Sequence, residues 1–257
     1  VNEKVISRDE PFDLLVALDC GTNDREAIAR LRSEGIDVIV VDHHQVQQPL
    51  GDQAILVNPH LKADGDDASK ILCSVALTFK LMQALLMRVR GKGHPTADQI
   101  ILKDYLDLVA LGTVTDLVPL VAENRVLVRH GLLRIGRSKN IGLQALMDAC
   151  TLPYGKDLDV ADVSFKIGPR INAGGRMGDA TLSVELLLSK SFNTCARYAH
   201  ELEHLNHNRQ STERAIFEQA MNYLSRRQLR KAIVLYDSEW HTGVVGIVCS
   251  RIARMYQ

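Results

Sequence analysis

The sequence has no surplus of charge. Lys+Arg and Asp+Glu each number 31, so the formal net charge at pH 7 is zero. Without a global positive field, any nucleic-acid contact must come from a local patch. Close cysteine pairs are also missing. Cys20, Cys73, Cys150, Cys195 and Cys249 are scattered, which excludes a disulfide framework or a zinc ribbon and fits a reducing cytoplasm. No apolar run approaches membrane-spanning length, and no signal peptide opens the chain. Repeats and low-complexity segments are absent. Gly21-Thr22-Asn23 matches neither a Walker loop nor a dinucleotide fingerprint, so a nucleotide cofactor is not expected.

What is present is an ordinary globular composition, 46% apolar and 24% charged over 257 residues. That length allows a sizeable core and two domains. The sequence starts at Val1 and stops at Met255-Tyr256-Gln257 inside a helical pattern, which reads as a fragment cut at both ends.

The organising stretch is Val38-Ile39-Val40-Val41-Asp42-His43-His44. Four apolar, mostly β-branched residues predict a buried strand. Three residues able to bind metal or support a ligand follow at once, where open α/β sheets build their sites. Taken alone, the triplet also fits a surface turn with incidental histidines. Upstream, Phe12–Asp19 predicts a strand closed by an acid. A turn at Gly21–Asp24 follows, then a helix through Ala27, Ile28 and Leu31 that stops at Gly35. The result is a right-handed βαβ unit with two adjacent parallel strands. Asp19 and Asp42-His43-His44 therefore emerge on one edge of the sheet.

Farther on, Gln53–Val57 reads as a short third strand ended by Asn58-Pro59, and Lys62–Ser69 as a polar loop. Helices are expected over Ile71–Arg88, over Ile100–Leu111 running into Gly112–Asp116, over Glu123–Ile135 and over Ile141–Ala149. Val163–Asp179 contains Gly168-Pro169-Arg170-Ile171-Asn172-Ala173-Gly174-Gly175-Arg176. Its glycines allow close backbone approach and its arginines can fork onto phosphate. Equally, it reads as a flexible loop with solvated arginines. Asn193–Leu224 predicts a long polar helix suited to bridging domains. A small basic cluster follows at Arg226–Lys231. Ala232–Tyr236 predicts a strand opening a second domain, and Trp240-His241-Thr242-Gly243 leads into a helix from Val244 to Tyr256.

Asp19, Asp42, His43, His44 and Asp116 each fall at an element end. Carboxylates with imidazole suit Mn²⁺, Zn²⁺ or Fe²⁺ better than Mg²⁺. A carboxylate bridging two divalent ions is a common device for phosphoryl hydrolysis, but such sites carry more carboxylates than these. His200, His204 and His207 share one polar helix and read as a solvated face rather than a zinc site. His241, before a helix start, reads as either a cap or an anion contact.

As an ordered set these residues resemble a known family. Leu18-Asp19-Cys20-Gly21, Val41-Asp42-His43-His44, Leu111–Asp116 and Gly168–Arg176 occur in the order of the RecJ single-strand-specific DNA exonucleases. These belong to the DHH phosphoesterase superfamily. Trp240–Gly246 looks like the start of that family's DHHA1 domain.

The resemblance implies an α/β fold: a parallel-sheet phosphoesterase domain over 1–190, a connecting helix over 191–228, and a truncated second α/β (DHHA1) domain over 229–257. By the same resemblance Asp19 bridges two ions, Mn²⁺ or Mg²⁺, and His43 and Asp116 bind one of them. His44 faces the scissile phosphate, and Asp42 supports the site from behind. Arg170, Asn172, Arg176 and His241 hold the DNA. The implied activity is two-metal hydrolysis of single-stranded DNA from its 5′ end, in cytoplasmic recombination and repair. A single-strand-binding protein or a helicase is a candidate partner, and no membrane is involved.

The family also has an earlier strand ending in an Asp-rich motif, which Val1–Pro11 lacks; this fragment is therefore expected to be inactive alone. Ser74 and Ala76 stand where the family usually has glycines. Two other readings remain at this stage. One is a phosphoesterase for short oligonucleotides, cyclic dinucleotides or pyrophosphate. The other is a non-catalytic RecJ-like replication scaffold.

Overall fold

The computed structural model describes residues 11–61, 68–226 and 232–256. Most of the Lys62–Ser69 loop and of the basic cluster at Arg226–Lys231 lie outside the described residues. The chain divides into two compact units. One is Val1–Arg137 with Lys156–Val160, the other Ser138–Gly155 with Ala161–Gln257.

The first unit is built on a three-stranded parallel sheet, β1 (Leu14–Leu18), β2 (Asp37–Val41) and β3 (Ile55–Val57), in that spatial order. Helix α1 (Arg25–Ser33) makes the crossover from β1 to β2. Alternation along β2 sends side chains to both faces. Val38 and Val40 pack with Ile28 and Leu31 of α1, and Val41 packs with Leu72, Ala76 and Val109 on the other side. Val40 and Val41 are fully buried, each a gain of about 1.5–3 kcal/mol from leaving water. The opposite layer is α2 (Ser74–Arg90), α3 (Leu106–Thr115) and α4 (Ala122–Ile135). The predicted helix from Ile100 begins instead with a short 3₁₀ turn at Leu102–Tyr105. Its α-helical part runs on through Gly112, where an added Cβ would meet Val75 of α2 at 2.7 Å.

The register carries the functional point. Leu18 is opposite Val41, and Val41 opposite Val57. The next residue of each strand, Asp19, Asp42 and Asn58, therefore stands in one row at the carboxyl rim. The Asp19 amide donates to the Val41 carbonyl (2.9 Å) and the Asp42 amide to the Val57 carbonyl (3.1 Å).

The second unit is helical: α5 (Ile141–Ala149), α6 (Gly168–Met177), α7 (Thr181–Leu188), α8 (Phe192–Ser225) and α9 (Thr242–Met255). Asn140 caps α5, its Oδ1 accepting from the Leu143 amide, and its Nδ2 donates to the Leu187 carbonyl at the end of α7. The long α8 packs against α5, α6, α7 and α9. Its carboxyl-terminal half buries Ile216, Ala220 and Leu224 against Val244, Val248 and Ile252 of α9.

Two sequence expectations change here. The glycine-arginine stretch is not a loop. A π-helical turn at Val163–Ile167 leads straight into α6. Pro169 falls at the junction of the two, where its ring nitrogen cannot donate to the preceding turn. Gly174 faces Ser183 and Leu202 so closely that a Cβ there would stand 2.9 Å from the Ser183 hydroxyl. Burial of small residues overrides their poor helix propensity. The expected strand at Ala232–Tyr236 carries no ladder. A strand exists through its partner, and the sheet holds only β1, β2 and β3 among the described residues. With α9 as the only described element beyond that segment, a second α/β domain is not evident among the described residues. No described helix is long and apolar enough to cross a membrane.

Candidate metal centre

Asp19 follows β1 directly and takes a left-handed backbone, φ 63°. Aspartate tolerates that region better than most residues, and Gly21 (φ 103°) completes the reversal with Val40 close beneath it. The turn leaves the Asp19 carboxylate exposed at the rim. From β2, His43 reaches between two acids. Its Nε2 lies 3.5 Å from Asp19 Oδ1 and 3.4 Å from Asp116 Oδ2. Asp116 comes from the far end of α3, where its amide donates to the Gly112 carbonyl. Leu117 beyond it is again left-handed, φ 59°. Backbone in this sparsely populated region tends to gather at functional sites.

Asp42 is the opposite case, almost fully buried. Its Oδ1 accepts from the amides of His43 (2.8 Å) and His44 (3.2 Å) and lies 2.7 Å from His44 Nδ1. Its Oδ2 accepts from the Thr22 amide at 3.2 Å. Burial works against its charge, but hydrogen bonds from Thr22 and His44 outweigh it and lower the pKa to about 2. The same contact holds the His44 imidazole above its ordinary pKa and leaves Nε2 as that ring's outward nitrogen. Burial raises the pKa of Asp116; His43 offsets part of this and the nearby Asp19 adds to it.

Ligand atoms of Asp19, His43 and His44 lie within 4.8 Å of one another, and Asp116 closes on His43 from the other side. Among the described residues no lysine or arginine pairs with Asp19 or Asp116. Acids crowded without a cationic side chain, beside an imidazole, fit a divalent ion. By this geometry Asp19, His43 and His44 are the residues that could hold it, with Asp116 next to His43.

The second unit carries the other sequence-predicted residues. Arg170 pairs with Glu203 of α8 and also donates to the Lys166 carbonyl at 2.7 Å. Asn172 and Arg176 are exposed on α6. The Arg176 guanidinium donates to the Gly243 carbonyl at 3.2 Å. His241 is the N-cap of α9, its Nδ1 accepting from the Gly243 amide at 3.1 Å. Arg176 and His241 are thus brought to one helix start, while Arg170 is neutralised within the unit. His207 pairs with Glu203 at 3.2 Å, and His204 lies 3.4 Å from the Asn208 amide. Neither belongs to a metal-ligand cluster among the described residues.

Sequence reasoning misses Thr22 and Asn58. The residue pattern shows Asn58 only as the end of a strand. Its register with Asp19 and Asp42 is the signal that could have found it.

An Asp-His-His turn after a parallel strand, with acids from the neighbouring strand and from a helix end, defines a DHH-type domain. Residues 2–113 match the DHH family, N-terminal domain. Nearly the whole chain is similar to part of the RecJ exonucleases. The single-stranded-DNA-specific exonuclease RecJ of Escherichia coli is 38% identical over 252 residues, covering 95% of this chain and 43% of that protein. The Haemophilus influenzae protein of the same name is 37% identical over 250 residues, with the same coverage. The crystal structure of RecJ from Thermus thermophilus in complex with Mn²⁺ superposes with a TM-score of 0.80 at 35% identity, over 95% of this chain and 35% of that one. A structure of exonuclease RecJ bound to manganese gives 0.82 at 35% identity, over 99% and 62%. The chain thus spans less than half the length of these curated relatives.

Proposed function

We propose that this chain is the DHH region of a single-stranded-DNA-specific exonuclease that hydrolyses phosphodiester bonds from the 5′ end. The observation that carries the reading is the approach of Asp19, after β1, and Asp116, after α3, to the His43 imidazole after β2. Mn²⁺ or Mg²⁺ held there would generate hydroxide and stabilise the in-line transition state. The chain's own residues do the rest. Asp42 fixes the His44 ring, and the hydrogen bond keeps that ring's proton affinity high, which suits its outward nitrogen to donate to a phosphate oxygen. Asn172, Arg176 and His241 supply backbone contacts that bind without reading sequence. Arg170, held by Glu203 and the Lys166 carbonyl, belongs to the same backbone-binding set.

The shortage of carboxylates has a natural place for its remedy. β1 is the last strand on its side of the sheet among the described residues, and it exposes Leu14, Val16 and Leu18. A further strand beside it would cover them and deliver more acids to the rim. Residues 229–257 as the start of a DHHA1 domain, a cytoplasmic role in recombination and repair, and partnership with a single-strand-binding protein or a helicase belong to this same reading.

The test is Asp116→Ala in the full-length protein. Its charge is already disfavoured in the fold by burial and by Asp19, so stability is expected to hold while Mn²⁺-dependent nuclease activity disappears. Unchanged rates would overturn the assignment. A length series of 5′-labelled substrates separates the rival: activity confined to dinucleotides or pyrophosphate would replace this reading.

A further inference from the structure

The strand-end row contains a third polar residue with no assigned role. Asn58 is first after β3, in register with Asp19 and Asp42, and is nearly buried. Its Nδ2 donates to the Thr22 hydroxyl at 3.0 Å and to the His44 carbonyl at 2.9 Å. Its Oδ1 accepts from the His60 amide at 2.8 Å, which fixes which way the amide faces. Thr22 in turn donates its amide to Asp42 Oδ2, and Asp42 Oδ1 binds the His43 and His44 turn. One ring of hydrogen bonds, Asn58–Thr22–Asp42–His44–Asn58, therefore ties the ends of all three strands together.

Resting on the reading of Asp19 and His43 as metal ligands, we propose that Asn58 is a positioning residue that sets the distance between them. Asp19 rides on the β1 turn that contains Thr22, and His43 rides on the β2 turn that contains His44. Neighbouring parallel strands fix the spacing of their backbones only up to the last ladder bond. The last such bond runs from the Asp19 amide to the Val41 carbonyl; beyond it the two turns, which carry both ligands, are joined through side chains, Asp42 to the Thr22 amide and Asn23 to Gln45 and Gln47 among them. The Asn58 amide bonds both turns at once, and its own backbone is anchored by β3. Asn58 touches neither Asp19 nor the outward face of His43, so its effect on a bound ion is transmitted through Thr22 and His44. Partners of this kind behind metal ligands typically change metal affinity by about 10–100-fold.

The test is Mn²⁺ binding by electron paramagnetic resonance in the full-length protein, with folding followed by circular dichroism. Asn58→Ala and Thr22→Val are compared with Ile28→Val, a fully buried change remote from the ring that lowers stability alone. Thr22→Val keeps the backbone bond to Asp42 and removes only the hydroxyl, so it decides the matter should Asn58→Ala fail to fold. The expected result is a loss of Mn²⁺ affinity of about ten-fold in both ring variants and none in Ile28→Val. Folded ring variants that bind within about two-fold of wild type, well short of that range, would overturn the positioning role and leave the metal reading standing. A wild-type protein that takes up no Mn²⁺ would remove both.

Discussion

The rim of the first unit and the helix start of the second handle charge in opposite ways. At the rim, buried Asp42 is held by hydrogen bonds on both carboxylate oxygens, while Asp19 and Asp116 in front of it face His43. In the second unit two arginines find their partners inside. Arg170 sits on Glu203, and Arg209 on Glu213 at 2.8 Å. Acids left together cost stability, because like charges repel, and burial penalises Asp116 further. A fold that retains such a cost, with saturated support behind it, marks that place as a site. Arg170 and Arg209 of the second unit, by contrast, are committed to partners within it.

The sharpest way to break this comparison is to remove Asp42 and Asp19 in turn. Asp42→Ala strands the Thr22, His43 and His44 donors in a buried place and should cost about 3 kcal/mol or more. Asp19→Asn should change stability by no more than about 0.5 kcal/mol, because the side chain is exposed and asparagine also accepts a left-handed backbone. Urea denaturation of both variants reads the difference. Equal losses would show that Asp19 is structural too. Acid gives a second view. The folded pKa of Asp42, about 2, lies below the ordinary carboxylate value of about 3.9. Its contribution is therefore fully present above about pH 4 and is lost as pH falls toward the folded value. Over that window wild type should lose about 2 kcal/mol that Asp42→Asn does not.

Next in size is Gly243→Ala. A Cβ there would run into the backbone carbonyl of Arg176. No side chain can swing away, so α6 and α9 must part. Overpacking of this kind costs about 1–3 kcal/mol, and thermal unfolding should register it. Gly246 has open space around the same virtual atom, so Gly246→Ala should be neutral or slightly stabilising. Both behaving alike would mean that the close contact does not hold the second unit together.

The sheet and the rim are largely legible in the sequence, because β-branched runs and the handedness of βαβ units need no tertiary information. They place Asp19 beside Asp42 before any coordinates. α6 is not legible. Gly168, Pro169, Gly174 and Gly175 spell a loop by propensity, and only the closeness of Ser183 and Leu202 makes a helix of them. The pattern at Ala232–Tyr236 fails for the converse reason: it has strand propensity but no ladder partner among the described residues. Asn58 and Thr22 are missed because their roles come from cross-strand register, and only aligning the ends of three segments would have pointed to Asn58.

The smallest stability effect should come from Arg176, and it is the most informative about the second unit. Arg170 is largely buried and bound to both Glu203 and the Lys166 carbonyl. Truncating it to alanine leaves Glu203 with only His207 and should cost about 1–3 kcal/mol. Arg176 is exposed and makes one hydrogen bond of 3.2 Å, to the Gly243 carbonyl. Water replaces that bond readily, so Arg176→Ala should shift stability by less than about 0.5 kcal/mol. If Arg176 meets a DNA phosphate, the same variant should weaken single-strand binding uniformly across sequences. It should also reduce the dependence of log K on log salt by about 0.7, one phosphate's worth for a single strand. Fluorescence anisotropy with a labelled oligonucleotide at several salt concentrations measures both. A stable variant with an unaltered salt slope would make Arg176 a surface residue like any other and leave Arg170, Asn172 and His241 as the second unit's remaining candidates for the substrate.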